Sequence, residues 1–201
     1  MSRANKNSPK KKKKLKKSPR QRDPSVALMP YLSGFNPLDA NKVFKVALEV
    51  FTLTKNPDAA VLAFQASINM PDPCVAANSF SQIASLAPGN SDIQSDFGAL
   101  LCRSNRFEEA EEVLLQALNL APSDGQILFN MAQALMGQNK FSDAEAVYRK
   151  SIEHEFVTPM VFAGLGDALR EQGKISDAIE YFKKAYHLDR SNSDFRDSYE
   201  K

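Results

Sequence analysis

The strongest constraint on this chain is a pattern that returns every 34 residues. The stretch FEEAEEVLLQALNLAP, residues 107–122, is followed 34 positions later by FSDAEAVYRKSIEHEF and 34 later again by ISDAIEYFKKAYHLDR. A fixed period of this length indicates one supersecondary unit built several times over. The units must stack on one another, because a single unit of this size cannot bury its apolar faces alone.

Aligning the three copies shows that residue size recurs at matched positions. In the first half of each copy the recurring small residues are Gly98, Ala132 and Gly166. In the second half they are Ala110, Ala144 and Ala178, and the large residues four positions later are Leu114, Tyr148 and Phe182. Two helices approach closely only where a side chain at their crossing is small, and large neighbours fill the remaining gaps. The copies therefore predict antiparallel helix pairs.

The period, the small residue of the first helix, and the alanine and large residue of the second helix together resemble the tetratricopeptide repeat (TPR) family. The resemblance covers residues 91–190. It implies an all-α fold, a right-handed superhelical solenoid of antiparallel helix pairs. Two family features are weaker here: Gln94, Leu128 and Phe162 stand where Trp is frequent, and the closing proline is present only as Pro122.

The sequence predicts five segments. From the N terminus these are a disordered Lys/Arg-rich tail at 1–24, an extended apolar linker at 25–38, degenerate helical repeats at 39–90, three TPR repeats at 91–124, 125–158 and 159–192, and a C-terminal capping helix at 193–201. Helix pairs are expected at 92–104 with 107–120, 125–138 with 141–154, and 159–171 with 175–188. No run alternates with a period of two residues, so no sheet is expected.

The phase of the degenerate repeats stays open at this level. Ala76 and Phe80, one period before the small and large residues of the first clear copy, match a second helix. The helix before them carries Phe64 where the clear copies have a small residue. The stretch DAAVLAFQASI could instead be a second helix itself, with Ala60 as its small residue.

Charge is divided unevenly along the chain. Residues 1–24 contain eleven Lys or Arg and one acid, Asp23, whereas residues 25–201 contain fifteen bases and twenty-three acids. The basic segment has little to bury and repels itself, which predicts disorder. It could bind the phosphates of DNA or RNA, serve as a nuclear import signal, or only solubilise the chain. The candidate polyanion-binding residues are Lys10, Lys11, Lys12, Lys13, Lys14, Lys16, Lys17, Arg20 and Arg22.

The sequence contains no catalytic or metal-binding pattern. His154 and His187 are far apart, and neither Cys74 nor Cys102 has a partner at ligand spacing. The segment GLGDAL, at 164–169, lacks the third glycine of a dinucleotide motif and follows no strand. We therefore expect no enzyme activity, no cofactor, no bound metal and no small-molecule substrate.

Targeting features are also weak. The longest apolar candidate for a secretory signal, VALMPYL, is short and broken by Pro30, and no run approaches the roughly 18 apolar residues of a membrane span. Two cysteines make no disulfide framework and fit a reducing compartment. The expectation is a cytoplasmic protein without a membrane span, or a nuclear one in a eukaryote.

The family resemblance implies a partner-binding groove lined by the first helix of each repeat. Carried onto this chain, the groove residues are Asp96, Arg103, Gln126, Phe129, Asn130, Gln133, Met136, Met160, Asp167 and Arg170. Phe129, Met136 and Met160 would form an apolar strip there, unless they pack between repeats. The cations with which chaperone-binding TPR domains hold a C-terminal carboxylate are missing, and only Asn130 matches that clamp.

Two functions follow as hypotheses. The first is a non-catalytic interaction module or scaffold that binds a peptide or helix of a protein partner in the groove. The alternative is a nucleic-acid-associated factor, whose basic tail binds DNA or RNA non-specifically while the repeats recruit a partner.

Overall fold

A computed structural model describes residues 23–200, with side chains through residue 198. In this part of the chain every regular element is helical, which confirms the predicted all-α solenoid. The α-helices are α1 (Ala40–Thr54), α2 (Pro57–Ile68), α3 (Pro73–Leu86), α4 (Ser91–Arg103), α5 (Phe107–Leu120), α6 (Gly125–Gly137), α7 (Phe141–Glu153), α8 (Pro159–Glu171), α9 (Ile175–Leu188) and α10 (Ser193–Glu200). Two short 3-10 helices, Pro24–Leu28 and Pro37–Asp39, precede them.

From α4 to α9 the helix bounds agree with the sequence-based ones to within one residue, because the start signals recur with the repeat. A polar side chain caps the first helix of each pair by accepting a hydrogen bond from a backbone N–H. The pairs are Asn90 with Ile93 at 3.0 Å, Asp124 with Gln126 at 2.8 Å and Thr158 with Val161 at 3.3 Å. Such caps satisfy N–H groups that the first helical turn leaves unpaired.

The turn inside each clear pair is set by a residue in the left-handed region. These residues are Asn105 (φ 58°), Asn139 (φ 60°) and Gly173 (φ 77°). Asn and Gly enter this region at less cost than other residues, which explains their recurrence in the sequence. The following residue donates its N–H to a carbonyl five positions back, as from Arg106 to Leu101 at 3.0 Å, and so closes the helix.

The helix crossings depend on the small residues that the sequence singled out. A Cβ atom added to Gly98 would lie 2.5 Å from Leu114 Cγ, and one added to Gly166 would lie 2.8 Å from Phe182 Cε1. Ala144, on the opposite member of its pair, is fully buried. The small residue therefore lets the two backbones approach, and the large residue fills the space that it leaves.

The degenerate region resolves into three helices. Phe64 of α2 stands one period before Gly98, where the clear pairs need a small residue. Its ring meets the edge of the Phe80 ring of α3, with centroids 5.9 Å apart. Two large side chains thus meet where the later pairs set a small residue against a large one. α2 packs more extensively against α1 than against α3.

Residues 25–38 do not form the extended linker that the sequence predicts. The Asp23 side chain accepts a hydrogen bond from the N–H of Ser25 at 2.9 Å, and the fixed φ of Pro24 starts a 3-10 helix there. Leu28 then buries its side chain, 1% exposed, where this helix packs on α1. Pro24 and Pro37 each start a 3-10 helix, and Pro30 lies inside the turn from Leu28 to Tyr31, so this part of the chain is not extended.

The C-terminal helix covers the end of the array. Phe195 of α10 is 7% exposed and packs with Ala163 and Ala185 of the last clear pair. The apolar end of α8 and α9 is thus partly shielded from solvent, as the terminal repeat of a solenoid requires.

Ion-paired hydrogen bonds also link successive pairs. Glu145 of α7 accepts hydrogen bonds from Lys174 at 2.7 Å, Gln172 at 2.9 Å and Arg149 at 2.9 Å. Burial acts to raise the pKa of this carboxyl, but the hydrogen bonds outweigh it and lower the pKa to about 2. One period earlier, Glu111 accepts hydrogen bonds in the same way from Lys140 and Gln138.

We expect Ala144→Arg to abolish cooperative unfolding of the central pair. The substitution combines overpacking with a buried unpaired charge, and should cost more than about 3 kcal/mol. Ala146→Arg is the matched control, because Ala146 is exposed on the same helix. Thermal melting followed by circular dichroism checks the prediction. An unchanged transition in Ala144→Arg would contradict the helix crossing described here.

We expect Glu145→Gln to lower the free energy of unfolding by about 1 kcal/mol near pH 7, a small figure because solvent screens the pairs. The folded pKa lies below the unfolded one, so this stabilisation is complete above about pH 4.5 and is lost as pH falls towards 2. Urea titrations of wild type and variant at several pH values measure it. Glu112→Gln, at an exposed site on α5, is the control. A difference independent of pH would refute the assignment.

Candidate partner-binding groove

The first helices of the three clear pairs, α4, α6 and α8, together form one surface of the array. α6 contacts both α4 and α8 directly, so the three helices lie side by side. We call the side chains that they present away from α5, α7 and α9 the first-helix face. The ten groove residues that the family resemblance implies all belong to these three helices.

Of the three residues in the predicted apolar strip, two pack against the core and one is exposed to solvent. The Phe129 ring is half-buried, with its centroid 6.1 Å from that of Tyr148 and 5.9 Å from that of Phe156. Met136 is also half-buried and packs against the core. Met160, by contrast, is 53% exposed. Of the three, Met160 therefore offers the most accessible apolar surface.

Asn130 is buried and joins two helices, so it is not exposed on the surface of the groove. Its side chain is 6% exposed, and its amide nitrogen donates to the Ser95 hydroxyl at 3.0 Å. The bond joins α6 to α4 and fixes the register of the two helices. Sequence reasoning placed Asn130 on the correct helix, but could not show how deeply it is buried.

The charged groove residues have partners within the chain. Arg170 donates to Asp167 at 2.6 Å and lies over the Phe182 ring, 5.5 Å from its centroid. Burial raises the pKa of Asp167, and Arg170 partly counteracts this. Arg103 donates to the Ile68 carbonyl of α2 at 3.1 Å. Gln126 is exposed and Gln133 half-buried, so their amides can reach a ligand.

Asp96 is the most perturbed acid of the groove set. Burial, and then the nearby charge of Asp92, raise its pKa to about 7. Within residues 23–198 no side chain or backbone N–H donates a hydrogen bond to its carboxylate. The site thus holds a carboxylate that a positively charged group would stabilise.

Sequence reasoning missed a cleft beside Asp96. It is open to solvent, with a volume of about 440 Å³, and lies between α1, α2, the α3–α4 turn and α4. Its apolar lining includes Phe51, Ala60, Val61, Leu86 and Ile93, and its charged lining residues are Lys55, Asp92 and Asp96. We call it the N-terminal cleft. The cleft depends on how α1, α2 and α3 pack, and the sequence left the repeat phase of these helices open.

Three further properties of the described residues concern metal ligands, reactive thiols and membrane spans. Residues 23–198 contain no group of three or more His, Cys, Asp or Glu side chains arranged to hold a metal ion. Burial raises the pKa of the Cys102 thiol to about 12, so the nucleophilic thiolate is scarce at neutral pH. A further finding is that none of the helices between residues 23 and 200 is both long and apolar enough for a membrane span.

The candidate polyanion-binding residues, from Lys10 to Arg22, lie outside the described residues. Of the segment predicted as a tail, only Asp23 and Pro24 are placed.

Comparisons with known proteins agree with this architecture. Two family models, both described as tetratricopeptide repeat, match residues 75–128 and 129–194, and together cover more than half of the chain. No curated protein matches the sequence.

Solved structures share the fold at low sequence identity. MamA (41-end) from Desulfovibrio magneticus RS-1 matches with a TM-score of 0.66 and 18% identity, over 84% of this chain and 93% of that one. A thermophilic TPR protein of Thermus thermophilus matches with a TM-score of 0.63 and 15% identity, over 90% of this chain and 96% of that one. These similarities establish the helical arrangement and no more.

Proposed function

Since the chain belongs to the tetratricopeptide repeat family, we propose that it is a non-catalytic scaffold that binds a peptide or helix of a protein partner on the first-helix face. TPR repeats indicate protein partners in general, and the finer assignment of the surface is ours. The observation that carries it is the exposed apolar side chain of Met160 on α8, together with the accessible amides of Gln126 and Gln133 on the neighbouring helix α6.

The first-helix face offers the two elements that peptide recognition needs. An exposed apolar side chain can anchor a partner residue by burial, and surrounding amides can pair with the partner's backbone or polar side chains. Phe129 and Asn130 support this surface from below, because their contacts hold α6 in register with its neighbours. The binding residues proposed here are therefore the accessible members of the groove set.

Met160→Asp should weaken peptide binding about tenfold, the loss expected when a central apolar anchor is removed. Aspartate in the first turn of α8 favours the helix dipole, so the fold should be unaffected. Ile175→Asp is the matched control, since Ile175 is 52% exposed in the first turn of α9, a second helix. Peptides selected from a displayed random library against the full chain supply the ligands for calorimetry. Equal affinity for Met160→Asp and wild type would contradict the assignment.

The basic tail suggests a second candidate function, polyanion binding, which rests on its eleven Lys or Arg residues. Binding through charge alone should show little sequence preference, with a log–log salt slope of about −0.9 per duplex phosphate contacted. Removing residues 1–22 should abolish it, because the remaining chain is acidic. Duplex DNA titrated at several salt concentrations measures both effects. Tight binding by the shortened chain would assign the polymer to the repeats instead.

A further inference from the structure

We propose that the basic tail of this chain binds intramolecularly in the N-terminal cleft, with Leu15 on its apolar surface and neighbouring lysines beside Asp92 and Asp96. The proposal is independent of any partner on the first-helix face. Three observations support it: where the described chain begins, the charge of the cleft, and the one apolar residue of the lysine run.

The described chain begins at the edge of the cleft. The Asn56 amide donates to the Ser25 hydroxyl at 3.3 Å, and Pro57, the next residue, lines the cleft. Leu15 precedes Asp23 by eight residues, which span up to about 26 Å when extended. The connecting segment is therefore long enough to bring Leu15 back over a cleft that starts beside its own attachment point.

The charges of the two partners are opposite. The segment KKKKKLKK, residues 10–17, carries seven lysines and no acid. Asp92 and Asp96 lie on adjacent turns of α4, and the raised pKa of Asp96 reflects burial without a compensating cation. The one base that lines the cleft, Lys55, donates to the Leu86 carbonyl at 3.3 Å and lies over the Phe51 ring. A tail lysine would thus supply the charge that Asp96 lacks.

The apolar lining of the cleft favours a ligand that carries an apolar side chain as well as positive charge. Val61 is 53% exposed and Leu86 is 40% exposed, so apolar surface remains in contact with solvent. Leu15 is the one apolar residue inside the lysine run, and the lysine stems beside it can also cover apolar surface. Burying these groups together would remove unfavourable apolar exposure on both sides.

Covalent attachment makes weak binding sufficient. A short connecting segment gives the tail an effective concentration of about a millimolar at the cleft. Docking with only millimolar intrinsic affinity would therefore occupy the cleft for about half of the time. The docked tail would cover Asp96 at the edge of the first-helix face. While docked, its lysines would also be unavailable to bind nucleic acid.

Limited trypsin digestion of the full chain tests the proposal, because docking shields Lys10–Lys17 from cleavage. Intact mass distinguishes cleavage after Lys10–Lys17 from cleavage after Arg20 or Arg22, and is followed for wild type, Asp92→Asn/Asp96→Asn and the control Asp143→Asn/Asp177→Asn. The control removes two exposed acids from the first turns of the second helices α7 and α9. We expect the cleft variant to be cleaved after Lys10–Lys17 at least about twice as fast as wild type, as half-occupancy implies, and the control to match wild type.

A second measurement uses the amide resonances of Gly89 and Asn90, which line the cleft. In the full chain, Leu15→Ser should shift them towards their positions in the cleft variant, without change on about a hundredfold dilution. Equal cleavage of wild type and the cleft variant would overturn the proposal, as would equal acceleration in the control. Protection or shifts that vanish on dilution would also overturn it, since they would place the tail in a second copy of the chain.

Discussion

The fold depends on one contact made repeatedly: a small residue on one helix of a pair set against a large residue on the other. Gly98 with Leu114 and Gly166 with Phe182 leave no space for even one additional carbon. Such close packing gives each pair its dispersion contacts and fixes the crossing point. The positions of all other side chains along the two helices follow from that crossing, including those of the first-helix face.

Buried polar groups then fix each pair against the next. Gln94 of α4 donates to the Ala84 carbonyl of α3 at 3.0 Å, whereas the Ser151 hydroxyl donates to the Gly125 carbonyl at 2.6 Å within the pair of α6 and α7. Asn130 joins α4 and α6 in the same manner. An apolar contact tolerates sliding, whereas a buried donor must meet its acceptor or lose its hydrogen bond. These bonds therefore set the register that turns a stack of helix pairs into one continuous surface.

How much the sequence predicts depends on how local the determining contacts are. Turns at Asn105 and Asn139, and caps at Asp124 and Thr158, act within a few residues, so helices α4–α9 could be located closely. The depth of a side chain is different, because it depends on neighbours far along the chain. Phe129 occupies a groove position in the repeat, yet its ring contacts Phe156 in the turn before α8. Aligning the repeats does not reveal this contact.

The N-terminal cleft shows how a break in the repeat creates a surface that the regular part lacks. Phe64 meets Phe80 where a small residue would let α2 and α3 close up, and α2 packs on α1 instead. α2 also contacts α4 much less than α6 contacts α4, and the N-terminal cleft lies between α2 and α4. Asp96 lines that cleft from α4, where burial and the nearby charge of Asp92 raise its pKa. The irregular phase of the sequence and the open cleft beside Asp96 therefore occur in the same part of the fold, where α2 packs on α1.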